Sequence, residues 1–356
     1  MIRRSGQIVA SLFLTLVFAG TACAESAGAL KDQLSIMRAP LASDNEFHQQ
    51  WLEYHSKVSA LLVDHNYKVL DKLCCDTLAG DQMLAAGLNR SDYLYSAFVL
   101  QGRDFKPLSD GEYQQLIAQL NEWAKQFPKS VHPTVVLATV YDRWAWKARG
   151  GGYAETVSQD GWRLMSQREG VANKFAKAAV AAPGSSARAY YLLLKMDKDN
   201  GASKEASDKL FKAAVGKFPN YRMFYFARIL ALQPRWGGAA GEWERFANQS
   251  ADAVGGVEGD VFYAQLLWYV DKTTWYSDTG IYKLFKVDYA RAKRGFEALL
   301  AAKPHSLAVI SAYCHAAATA ADKPTALKLF AKLNGRMDRE AWDGEQDYAR
   351  WRNAVI

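Results

Sequence analysis

One pattern constrains the fold of this chain more than any other: an aromatic residue, a small or apolar residue three positions on, and a proline five further. It appears as Phe175, Ala178 and Pro183 in KFAKAAVAAP. It returns as Phe211, Ala214 and Pro219 in LFKAAVGKFP, and as Phe296, Leu299 and Pro304 in GFEALLAAKP. Leu120, Trp123 and Pro128 form a blurred fourth copy. Each proline precedes a new apolar helical stretch: VVLATVYDRWAW, ARAYYLLLKM, YRMFYFARILAL and LAVISAYCHAAA. The small residue lets two helices approach, the aromatic fills the space between them, and the proline ends one helix before the next begins. A single hairpin of this kind cannot bury its own apolar face, so such units stack.

The sharpest pair of copies sets the period. Ala292, Phe296 and Leu299 recur as Ala326, Phe330 and Leu333, each offset by 34 residues. Phe175 to Phe211 is 36 residues, a slip that the loop DKDNGAS absorbs. A period of 34 with these positions resembles the tetratricopeptide repeat. Few runs alternate with period two, so strands are not expected. The expected fold is all-α, a tetratricopeptide-like α-solenoid of stacked helix hairpins. Residues 45–79 read as one or two helices after the loop APLASDN, and 111–127 as another, capped by Ser109 or Asp110. A break near GRDFKPLSD separates an N-terminal helical segment, 25–108, from a helical-repeat domain, 109–356.

Residues 1–24 read as a secretory signal. Arg3 and Arg4 precede the apolar run IVASLFLTLVFA, and Ala22 and Ala24 make a small-x-small cleavage site, so Glu25 is the expected mature start. A lipoprotein anchored through Cys23 is the alternative, weakened by Gly20 where a branched residue is wanted. The expected location is therefore periplasmic or secreted. No stretch after the signal is long and apolar enough to span a membrane. Cleavage would lower the formal net charge from +7 to +5 by removing two arginines. That mild excess argues against nucleic acid as a partner. Cys74, Cys75 and Cys314 would remain, an odd number with two adjacent. They read as buried small apolar residues, with a bridge from Cys314 to one of the pair as the alternative.

Two segments are candidates for binding. In PRWGG, 234–238, Pro234 and the glycine pair make a turn between helices. Trp236 either plugs a gap between units or stacks on a ligand, and Arg235 either meets helix-end carbonyls or grips a carboxylate. Full burial of Trp236 would favour a purely structural role. In WAWKARGGGYAETV, 144–157, Trp144 and Trp146 are two apart and so face different ways. Arg149 stands where it can meet the terminal carbonyls. The three glycines lack the pattern of a phosphate loop.

Other features point to little chemistry. DKDNGASKEASD, 197–208, places Asp197, Asp199 and Asp208 at calcium-loop offsets, but Gly201 is one place early and Glu is missing at the end. His48 and His55 share a helix face without a further ligand, and no cysteine has a plausible histidine partner. No cofactor or metal is expected, nor are catalytic residues. The aromatic run WYVDKTTWYSDTGIYKLFKVDY, 268–289, with Trp268, Trp275, Tyr276 and Tyr282, reads as an insertion held by its own rings or as a carbohydrate platform.

The order of motifs adds a resemblance. Trp144-x-Trp146-x-x-Arg149-Gly150, then Trp162, Pro219-x-Tyr221, PRWGG, Trp243, Asp288-Tyr289 and Trp342 are similar to a bacterial domain-of-unknown-function family with a tetratricopeptide-like fold. Its hallmarks are AW-x-x-RG followed by PRWGG, and the likeness covers about 50–350. The resemblance implies the fold and no chemistry. The expected function is a non-catalytic scaffold or binding module for a peptide or protein partner in the envelope. Trp146, Arg149, Arg235 and Trp236 are the expected binding residues. An envelope enzyme or carbohydrate-binding protein on the same scaffold is the alternative.

Overall fold

The computed structural model describes residues 42–44, 48–101, 106–273, 279–339 and 341–356. Among these the chain is almost wholly helical. The helices are α1 (His48–Val63), α2 (Tyr67–Ala79), α3 (Arg90–Ser96), α4 (Asp110–Gln126), α5 (His132–Arg149), α6 (Gln159–Ala181), α7 (Ala187–Asp199) and α8 (Lys204–Lys217). They continue as α9 (Met223–Ala231), α10 (Glu242–Val254), α11 (Gly256–Thr273), α12 (Ile281–Leu284), α13 (Tyr289–Ala302), α14 (Leu307–Thr319), α15 (Lys323–Leu333) and α16 (Gly344–Val355). Two short ladders accompany them. Strand β1 (Ala42–Asp44) pairs in parallel with β4 (Arg336–Asp338), and β2 (Leu100–Gln101) pairs antiparallel with β3 (Lys106–Pro107). Residues 1–24, and with them Cys23 and the cleavage site, lie outside the described residues, as do Trp275 and Tyr276.

The prolines act as helix stops. Helices α4, α6, α8 and α13 each end two residues before a proline, at Pro128, Pro183, Pro219 and Pro304. A proline disfavours helical backbone at the residue before it, which closes the helix there. The next helix then opens on a serine cap in two of the four cases. The Ser186 and Ser306 side chains accept from Arg188 and Val309 amides. Ser109 caps α4 in a capping box with Glu112.

The chain divides into two compact units, residues 46–270 and residues 1–45 with 271–356. In the first, most consecutive helices pack on one another, and α3 also packs on α5, α5 on α7 and α7 on α9. One core cluster runs from Trp51 on α1 through Leu120 and Trp123 on α4 to Val136 on α5 and Ala189 on α7. Residues on both sides of 108 therefore share a core. In the second unit the two repeat copies supply the interior: Ala292, Phe296 and Leu299 on α13 and Ala326, Phe330 and Leu333 on α15 are all buried. The α6 copy differs by one position. Ala178 is exposed, and Ala176 and Ala179 take the buried places.

Cys74, Cys75 and Cys314 are all free thiols. Cys74 and Cys314 are buried, and burial pushes both thiols up. Cys75 is exposed, and its sulfur lies 3.3 Å from Nε2 of His132. The expectation that no cysteine has a histidine partner is thus corrected. The two residues are 57 apart, and only tertiary packing brings them together. Burial holds His132 below its usual range, while burial and then Asp71 hold the Cys75 thiol above its own. A neutral thiol beside a neutral imidazole is not an activated nucleophile.

Candidate functional site

The site forms where α5, α6, α7 and the PRW turn meet. On α5, Asp142, Trp146 and Arg149 share one face at spacings of four and three. Trp144 points elsewhere: its Nε1 donates to Asp110 at 3.1 Å, whereas Trp146 Nε1 donates to Asp199 at 3.2 Å. Helix α6 adds Trp162 and Glu169, and α7 adds Lys195, Lys198 and Asp199.

The PRWGG corner is built around the carbonyl of Gln233, which accepts from the amides of Trp236 at 2.9 Å and Gly238 at 3.1 Å. Residues 234–236 form one 3-10 turn, closed by Gly237 at φ +91°. A Cβ on Gly238 would lie 1.9 Å from the Leu232 carbonyl oxygen. Both glycines are therefore needed for the path of the backbone. They leave Trp236 standing outward, 37% exposed. The full burial that would have favoured a purely structural role is not met.

Three indoles and three cations alternate across this surface. The Arg149 guanidinium lies 5.2 Å from the Trp162 ring and 5.3 Å from the Trp146 ring. The Lys198 ammonium lies 5.7 Å from Trp146 and 3.4 Å from Trp236. Arg235 lies 5.8 Å from Trp236. Each such contact contributes about 0.5–2 kcal/mol. The four expected residues, Trp146, Arg149, Arg235 and Trp236, are thus brought to one place, joined by Lys198 and Trp162. Arg149 also donates to the carbonyls of Gly150 at 3.1 Å and Gly152 at 2.9 Å. It ties down the turn after α5.

Beneath the indoles lies a buried charge cluster that sequence reasoning missed. One oxygen from each of Asp142, Glu169 and Asp199 lies within 4.8 Å of the other two, close enough to share a cation. Two ammonium groups already stand among them. Lys195 bonds Asp142 at 2.7 Å and Asp199 at 3.2 Å, and Lys198 pairs with Asp199. Burial works against the charge on Lys195, but Asp142 and Asp199 outweigh it and raise its pKa. Burial leaves Lys198 below the usual lysine range. Glu169 is pushed up to about 7, first by burial and then by the Asp199 charge. One of its oxygens, Oε1, has no hydrogen-bond partner among the described residues. With Glu169 protonated, two acids face two bases and the cluster is neutral. Asp199, one of the calcium-spaced residues, is committed here, and Asp208 pairs with Arg228.

A second network continues along α7. Arg188 bonds Asp92 of α3 at 3.3 Å, the Tyr221 hydroxyl donates to the same carboxylate, and Arg188 lies 4.8 Å from the Tyr191 ring. Tyr269 of α11 hydrogen-bonds Tyr191. A signal for these residues existed in ARAYYLLLKMDKD, where Arg188, Tyr191, Lys195 and Lys198 fall at spacings of three and four. The three leucines hid it by making the helix read as apolar throughout.

Residues 55–202 match the family model of a domain of unknown function (DUF4034). The expected resemblance to such a family is met over that stretch, which takes in AW-x-x-RG at 145–150 and stops short of PRWGG. No curated protein and no solved structure matches the chain.

Proposed function

We propose that this protein, which carries that domain of unknown function at residues 55–202, is a non-catalytic binding module for a peptide or protein partner in the bacterial envelope. Its helix hairpins stack in the tetratricopeptide manner, and a partner segment lies against them beside the PRWGG corner. One observation carries this reading. Trp236 and Trp162 remain exposed while flanked by cations, and two glycines of the corner have no room or conformation for side chains. A large indole held rigidly at the surface is a common anchor of interfaces. Export by a signal ending at Ala24 places the module in the periplasm or outside the cell. No helix among the described residues is long and apolar enough to cross a membrane.

The alternative, an envelope enzyme or carbohydrate binder, draws support from Glu169, a carboxyl poised near neutral pH beside two aspartates. Two observations favour binding over catalysis. The Asp199 side chain is wholly buried, and Lys195 and Lys198 occupy the space between the acids. A general acid and base must instead reach substrate.

The test is capture of partners from envelope extract by tagged protein, read by mass spectrometry, beside a folded Arg235→Ala/Trp236→Ala variant. The proposal expects a partner held by the wild type and lost by the variant. The same partner on both would place binding elsewhere on the chain, and none on either would overturn the module reading.

A further inference from the structure

The face of α7 presents bases over acids. Arg188, Tyr191, Lys195 and Lys198 lie within an arc of about 80° on the helix. Each base pairs with an acid that is more deeply set. The exposed fractions of the side chains are 13% for Arg188 against 8% for Asp92, and 22% for Lys195 against 4% for Asp142. For Lys198 and Asp199 they are 8% and 0%. In each pair the cation is the less buried partner, and Lys195 is the most exposed of the three bases. Asp197, the remaining acid of α7 before its last residue, lies on the opposite side of the helix.

This arrangement has a physical consequence. A buried acid fixes its base in place, so the base loses little further freedom when a second anion arrives in front. The base still has donors left, because guanidinium carries five N–H groups and ammonium three. The Tyr191 ring and the indoles of Trp146 and Trp236 line the same face and supply flat apolar contact between the charges. Donors set about one helical turn apart, with aromatic surface between them, suit an extended chain bearing carboxylates.

We infer that the polar edge of α7, formed by Arg188, Tyr191, Lys195 and Lys198, takes the carboxylates of an acidic peptide segment. The inference rests on the binding-module reading and names the chemistry of its partner. Arg188 and Lys195 are the gripping residues, and Trp236 closes the end beside Lys198.

The test uses the purified protein and fluorescently labelled hexaglutamate, hexaglutamine and hexalysine, read by anisotropy at low and high salt. The expected result is binding of hexaglutamate alone, weakened by salt. An Asp142→Leu/Lys195→Met variant removes the least buried of the three bases together with its buried partner and leaves Asp199 paired with Lys198. It is expected to bind hexaglutamate about tenfold more weakly. The peptide comparison needs no variant, so it decides the matter even if that variant misfolds. Equal binding of hexaglutamate by wild type and folded variant overturns the inference. So does capture of anionic lipid vesicles with hexaglutamate left unbound. If hexaglutamate fails while an envelope partner is still captured, the acidic ligand is wrong and the module reading stands. If both fail, both fall.

Discussion

Gly238 and Glu169 show how differently single residues constrain this protein. Gly238 is held by space, because a Cβ would collide with the Leu232 carbonyl. Gly237 is held only by its positive φ. Gly238→Ala is therefore expected to cost about 3 kcal/mol or more, and Gly237→Ala about 1–2 kcal/mol. Urea denaturation of the two variants measures the gap. Glu169 is held by charge. Its folded pKa of about 7 lies above its unfolded value of 4.5, so the native state binds the extra proton between them. Stability from this group is highest below pH 4.5, falls as pH rises to about 7, and stays flat above. Glu169→Gln should remove that slope and make the protein more stable at pH 8, by at most about 3 kcal/mol. Thermal melts at pH 5 and pH 8 test it, and a slope retained in the variant counts against this account.

At the scale of elements, helix ends were readable and helix faces were not. The prolines that stop α4, α6, α8 and α13 act through local sterics, which leave a mark in the sequence itself. The Ser109 cap is equally local. The polar face of α7 depends on Asp92 of α3, Asp142 of α5 and Tyr221 of the loop before α9. No local pattern marks those partners. The same holds for α14, where every residue is buried. There His315 meets Asp271 at 2.7 Å and Asp347 at 3.6 Å, with Arg350 bound to Asp347 at 2.5 Å. Burial opposes charge on His315, but Asp271 and then Asp347 outweigh it and raise the pKa. Its contribution to stability is complete below about pH 6.5 and is lost as pH rises through the raised folded value. His315→Gln is expected to destabilise the protein by about 3 kcal/mol at pH 6, and by less at high pH. Denaturation at the two pH values decides this, and an equal loss at both would count against a charged His315. In the same unit Phe296 stacks on Tyr313 at 5.4 Å. Phe296→Ala should cost about 3–5 kcal/mol by the same measurement.

At the scale of the whole molecule, the 34-residue spacing led to the helical architecture, and the surface it supports carries the proposed function. Trp146, Arg149, Arg235 and Trp236 were legible as a group because a tryptophan beside an arginine at a helix end stands out in any sequence. Lys198 and Trp162, which join them, carry no such mark. The aromatic run at 268–289 falls partly outside the described residues; within them Trp268 is buried and Tyr282 packs edge-on against Tyr289 at 5.3 Å. The most direct test of the central claim is oxidative footprinting of the protein, free and bound to a partner captured from envelope extract, with labelling read at each tryptophan. A partner lying beside the PRWGG corner predicts strong protection of Trp236 and Trp162 and no change at buried Trp123. Unchanged labelling of Trp236 in a saturated complex would contradict the account.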